Sequence, residues 1–211
     1  MRLQQYLTEQ NKCYTSDEIT PEEVLSLIKK DCKPYLKQKA KGKHLYRGTK
    51  LLEYNDFCII TPRKNRKPRD TDPVIHKKFD EMFMKYHGIK ARSEAIFTTP
   101  DYTTAAYYGI SGLVFPVGNF KYLWNPDIKD LTVNPSGNNY SKKSWYKQLF
   151  NELMILISKD ESIDDVIENT VKNYKSTGLK DAMGTDNEIM IFCDKYYIIQ
   201  SLWHSDIFKR L

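Results

Sequence analysis

The apolar residues of this chain come in short runs, such as FCII at 57–60, LVFPV at 113–117 and EIMIFC at 188–193, each closed by glycine, proline or charged residues. No run approaches the ~18 consecutive apolar residues of a membrane-spanning helix. Runs of this length suit strands, and between them lie longer segments with helical spacing. Short strands that can pair antiparallel, with helices inserted among them, predict an α+β domain rather than regular βαβ winding. At 211 residues the chain is long enough for a single domain, 1–211.

The elements follow from local chemistry. Thr20-Pro21-Glu22-Glu23 reads as a capping box with a first-turn proline ahead of Val24, Leu25, Leu27 and Ile28, so a helix starts there. Pro34 and the lysine-rich stretch after it are expected to loosen into a loop, making 1–43 a helical, basic extension. Strands are expected at 44–48 and 56–61, and the three prolines and five basic residues of 61–73 predict a loop. Ile75, Phe79, Met82, Phe83 and Tyr86 place an amphipathic helix over 73–87, stopped by Gly88. A strand over 94–98 leads to Thr99-Pro100, an expected N-cap and first-turn proline. Residues 113–117 and 120–124 predict a hairpin around Gly118-Asn119. Helices are expected over 145–157 and 163–174, a polar loop over 176–187, and strands over 188–193 and 196–203.

Charge is uneven. Seven lysines between Lys29 and Lys43 and five basic residues between Arg63 and Arg69 make the N-terminal half basic, whereas 152–188 holds nine acids against four lysines. Such a face fits an anionic partner, a nucleotide diphosphate or a nucleic acid held by basic loops 29–43 and 63–69, and equally a solvated surface. Four dispersed cysteines without a CxxC pair exclude a sequence-encoded zinc site, and no metal is expected. Cys58 and Cys193, in apolar runs, read as buried thiols of a reducing compartment. With no secretory signal at the N-terminus, the expected location is cytoplasmic, without membrane association.

Phosphate-loop, dinucleotide-fingerprint, zinc-protease and nucleophile-elbow motifs are absent. The four histidines are scattered and read as structural. What remains are three strand ends. Arg47, within Tyr46-Arg47-Gly48, places a planar cation near a core, which suits a phosphate clamp or a solvent-facing edge. Thr98 and Thr99 follow Phe97 and offer hydroxyls. Asp186 and Glu188, two apart, would project to one side of an extended chain.

In this order the three segments resemble the mono-ADP-ribosyltransferases of the arginine-serine-glutamate class, a family of bacterial toxins and phage-encoded enzymes. In that family a YRG-like strand, an aromatic residue followed by Ser-Thr-Ser, and a Glu-x-Glu strand entry build the site. Here the matching stretches are Tyr46-Arg47-Gly48, Phe97-Thr98-Thr99-Pro100 with Ala105 and Ala106 following, and Asp186-Asn187-Glu188. The resemblance implies an ADP-ribosyltransferase-like split antiparallel β-sheet core with flanking helices, the stretch 140–175 being a helical insertion. It also implies NAD as substrate, bound around Arg47, Gly48, Thr98 and Thr99. Cleavage of the nicotinamide–ribose bond develops positive charge on the sugar, which Glu188 would stabilise. Arg47 would hold the phosphates, the Thr98 hydroxyl would orient Glu188, and Thr99 would shape the nicotinamide pocket. Asp186 would activate the acceptor, expected to be a protein, with arginine as the family's acceptor side chain, and less so a nucleic acid, with 176–187 as the target-recognition loop. The sequence departs from the family where aspartate replaces the first glutamate and Pro100 the third hydroxyl. The alternative reading is a non-catalytic basic module that binds nucleic acid or an acidic protein, such as a phage accessory protein.

Overall fold

The computed structural model describes residues 11–67, 73–131, 163–203 and 211. Two antiparallel sheets organise them. One contains β1 (Asn11–Tyr14), β2 (Tyr46–Thr49), β3 (Phe57–Ile60), β5 (Ile110–Pro116) and β8 (Tyr196–Gln200), in the order β1-β3-β8-β5-β2. The other contains β4 (Ile96–Thr98), β6 (Lys121–Trp124) and β7 (Ile189–Phe192), in the order β4-β7-β6. With the helices set between strands, the α+β expectation holds. Among the described residues no helix is long and apolar enough to cross a membrane.

The alternation of strand side chains explains why β7 is a continuous apolar run. Ile189 and Ile191, with Ile96, Tyr122 and Trp124, join the core that the five-stranded sheet also builds. Met190 and Leu123 point the other way, into a second core with Phe79 and Phe83 of α3 (Pro73–His87) and with Ile167 and Val171 of α6 (Ile163–Lys172). A strand buried on both faces has no polar alternation to display. Phe83 is fully buried and meets Tyr174 edge-on at 4.9 Å, so truncating it to alanine should cost about 3–5 kcal/mol.

The capping box forms as expected: the Thr20 hydroxyl accepts from the Glu23 amide and the Glu23 carboxylate accepts from the Thr20 amide, starting α1 (Pro21–Asp31). The following lysine-rich stretch is not a loop from its outset. Pro34 falls in the first turn of a second helix, α2 (Lys33–Gln38), where its missing N–H costs nothing, and Tyr35 anchors that helix edge-on against Phe115.

Four other expectations are corrected. The segments around Gly118-Asn119 do not pair with each other, because β5 bonds β2 and β8 while β6 bonds β7. The turn, with Gly118 at φ 67°, carries the chain between sheets and is held by Gly118 N–H on Asp31 O and Val117 N–H on Lys195 O. Cys58 is not a free thiol. The register of β1 and β3 sets it opposite Cys13 with Cα atoms 4.0 Å apart, and the two form a disulfide. Thr99 is not the N-cap of the next helix, α5 (Tyr102–Ala106), because its backbone is bridged to Tyr46; Asp101 accepts from the Thr103 and Thr104 amides instead. Segment 176–187 is not an open loop, since it contains α7 (Leu179–Ala182), with Leu179, Ala182 and Met183 in the core. Trp124 Nε1 donates to Thr177 O and Leu179 N–H to the Tyr122 hydroxyl, fixing its start. Gly178, at φ 75°, supplies a left-handed cap there. The helix expected over 145–157 lies outside the described residues.

Candidate functional site

The two sheets are stitched at one point. Tyr46 N–H donates to Thr99 O and Thr99 N–H to Tyr46 O, at 2.8 and 3.0 Å, joining β2 to the end of β4. Beside this bridge opens a cleft of about 330 Å³, lined by Arg47, Arg66, Arg92, Thr98, Asp130 and Glu188 among others. The three strand ends singled out in the sequence therefore converge on one cavity.

Glu188 sits just before β7. Its N–H donates to Lys129 O at 2.7 Å, and its carboxylate accepts a hydrogen bond from the Leu131 backbone while Oε1 is buried without a partner. Desolvation is the main reason its pKa is pushed up to about 8, reinforced by the neighbouring Asp130 and opposed by Arg92 and Arg66. A pKa in that range favours the neutral carboxyl at pH 7.

Arg47 donates from Nη1 to Phe97 O at 3.0 Å, which ties the β2 guanidinium to the β4 backbone. Arg66 and Arg92 lie over the Phe97 ring, 4.1 and 5.0 Å from its centroid, and Arg66 Nη2 donates to Arg92 O. Three guanidiniums thus gather about one aromatic residue. Burial first, and then the charges of Arg47 and Arg92, lowers the Arg66 pKa to about 10. A cleft so furnished favours an anionic group, and planar forks favour phosphate or carboxylate oxygens.

A buried acid positions Arg92. Asp80 occupies the core-facing stripe of α3 with His76, Phe79 and Phe83. Its Oδ1 accepts from the Arg92 and Ser93 amides at 2.7 and 3.2 Å, at the start of α4 (Ala91–Glu94), and the Ser93 hydroxyl donates to Oδ2. His76 Nε2 meets the Ser93 hydroxyl at 3.1 Å, and burial holds its pKa below the ordinary value. His76 also lines the cleft.

The other anticipated residues fall as follows. The Thr98 hydroxyl donates to Ile189 O at 2.7 Å, so it steadies the backbone following Glu188 rather than the carboxylate itself. Thr99 lines the cleft, and its hydroxyl accepts from Asp101 N–H. Gly48 is there because α5 presses on β2: a Cβ would lie 2.1 Å from Ala105 O. Asp186 and Glu188 do not project together. The chain bends at 185–186, where Asn187 N–H donates to Thr185 Oγ1, and the exposed Asp186 carboxylate pairs with Lys129 Nζ at 3.4 Å.

Arg92, Asp130 and Tyr108, which donates its hydroxyl proton to Asp130 Oδ2 at 3.0 Å, were not anticipated, and Arg66 was read only as part of a basic loop. One signal was available: an aspartate in the apolar stripe of the 73–87 helix must satisfy nearby donors. Among the described residues no group of three or more histidine, cysteine and acidic side chains could hold a metal ion. No family model, curated protein or solved structure matches this chain.

Proposed function

We propose that the chain is an NAD-dependent mono-ADP-ribosyltransferase that modifies a protein. The observation that carries this reading is the meeting of Arg47, Thr98 and Glu188, residues 47, 98 and 188 of the chain, in one cleft at the junction of two antiparallel sheets. Those sheets are compatible with the split-sheet core that the sequence resemblance implies.

In this reading the dinucleotide phosphates sit against Arg47, with Arg66 and Arg92 beside it, and the nicotinamide ribose reaches Glu188. The positive charge of the nicotinamide ring, and then of the oxocarbenium-like sugar, draws the proton off Glu188 and is stabilised by the resulting carboxylate. Because the carboxylate is desolvated, its interaction with that charge is stronger than it would be in water. Thr98 holds the Ile189 carbonyl and so fixes the strand entry from which Glu188 projects.

The test is incubation of the protein with labelled NAD and a cell lysate beside a Glu188→Gln variant. Label should pass to protein with the wild-type chain and fall at least 100-fold with the variant. Salt-sensitive nucleic-acid binding without any label transfer would favour the basic-module alternative instead.

A further inference from the structure

Transfer to a protein side chain releases a proton, and the residue first expected to receive it, Asp186, does not line the cleft; its exposed carboxylate pairs with Lys129, which does. Another acid occupies the cleft. Asp130 lies between two backbone contacts to Glu188: Lys129 O accepts from Glu188 N–H, and the Leu131 backbone bonds the Glu188 carboxylate. It is buried, it lines the cavity, and the Tyr108 hydroxyl donates to its Oδ2.

We propose that Asp130, not Asp186, is the second carboxylate of the transfer site and accepts the proton of the incoming acceptor. This rests on the transferase reading above. The bond from ribose C1′ to the nicotinamide nitrogen breaks, its electron pair leaving on nicotinamide. A lone pair of the acceptor N–H or O–H atom forms the new bond to C1′, and the acceptor proton passes to the Asp130 carboxylate and on to water.

The division of labour follows from the pair itself. Two carboxyls lining one cavity can divide the roles of charge stabiliser and base between them. Glu188, desolvated and with Arg66, Arg92, Asp130 and Tyr174 as its charged or titratable neighbours, faces the positive charge that develops on the sugar. The Tyr108 hydroxyl, donating to Oδ2, fixes the orientation of the Asp130 carboxylate in the cleft.

The experiment measures label incorporation, nicotinamide release and NAD affinity for wild type, Asp130→Asn, Asp130→Glu and Asp186→Asn. Asp130→Asn should lose at least 100-fold in incorporation while binding NAD within threefold of wild type, as removal of a general base predicts. Asp130→Glu should recover part of that loss, and Asp186→Asn should stay within threefold of wild type. Nicotinamide release into water by Asp130→Asn should stay within tenfold of wild type, a split from incorporation that a merely structural role for Asp130 does not predict. Should Asp130→Asn fail to fold, Tyr108→Phe replaces it, with at least threefold loss of incorporation and unchanged NAD affinity expected. Incorporation by Asp130→Asn or Tyr108→Phe at the wild-type rate, or an equal loss of nicotinamide release by Asp130→Asn, overturns the assignment while Glu188→Gln still reports on the parent reading. Failure of the wild-type chain to release any nicotinamide overturns both.

Discussion

Glu188 should be a liability for stability, and the size of that liability can be worked out. Its carboxyl titrates near 8 in the fold against an ordinary 4.5, chiefly through desolvation. Between those values the folded chain keeps a proton that the unfolded chain has lost, so stability falls as pH rises through the window and levels off above it. At 1.36 kcal/mol per pH unit the interval corresponds to about 5 kcal/mol, a ceiling that water entering the cleft would lower. Glu188→Gln keeps the shape and removes the ionisation. At pH 5 the two proteins should unfold within about 1 kcal/mol of each other; by pH 8.5 the variant should be several kcal/mol more stable, on the order of 10 °C in Tm. Thermal unfolding of both proteins across this range, with NAD absent, is the assay. Parallel profiles from pH 5 to 8.5 would refute the reasoning, because they would mean that the carboxyl is solvated and ordinary.

Arg47→Lys should weaken NAD binding at least tenfold in a calorimetric titration, since a point charge cannot both hold Phe97 O and fork onto phosphate; unchanged affinity would remove Arg47 from the site. Gly48→Ala should cost about 1–3 kcal/mol in chemical denaturation, because the new methyl would meet the Ala105 carbonyl and the Tyr108 backbone rather than a side chain that could swing away. Cys13→Ser should lower stability by about 4 kcal/mol in the chain-entropy account of a disulfide that closes a 45-residue separation; a variant as stable as the parent would show that β1 is held by pairing alone.

The sequence made the strands legible wherever an apolar run ended in a turn residue, and it made the α3 helix legible because its stripe is continuous. It did not reveal which strands pair. The 113–117 and 120–124 segments have every local feature of a hairpin, yet pairing is decided by what each strand faces at a distance: β8 for one, β7 for the other. Strand β1 escaped notice because Asn11-Lys12-Cys13-Tyr14 is an edge strand with little buried surface, and with it went the disulfide partner of Cys58. In the site, Arg47, Thr98 and Glu188 were legible because each stands at the end or edge of an apolar strand. Asp130 was not, since Asn125 to Asp130 reads as a polar connection and only the backbone contacts to Glu188 bring it inward.

The electrostatics of the cleft narrow the kind of ligand it suits. Burial lowers the Arg66 pKa to about 10 and raises that of Glu188 to about 8, so desolvation costs the charged form of each group in this cavity. A ligand that is only a polyanion, such as a nucleic-acid backbone, would relieve the guanidiniums and drive Glu188 further toward its neutral form. A ligand with phosphates at one end and a cationic ring at the other relieves both strains at once. Adding ADP-ribose, which lacks the ring, should therefore leave Glu188 protonated near neutral pH, whereas NAD should cause release of a proton on binding, measurable as a buffer-dependent heat by calorimetry. Equal proton release for the two ligands would mean that the ring never reaches the carboxylate.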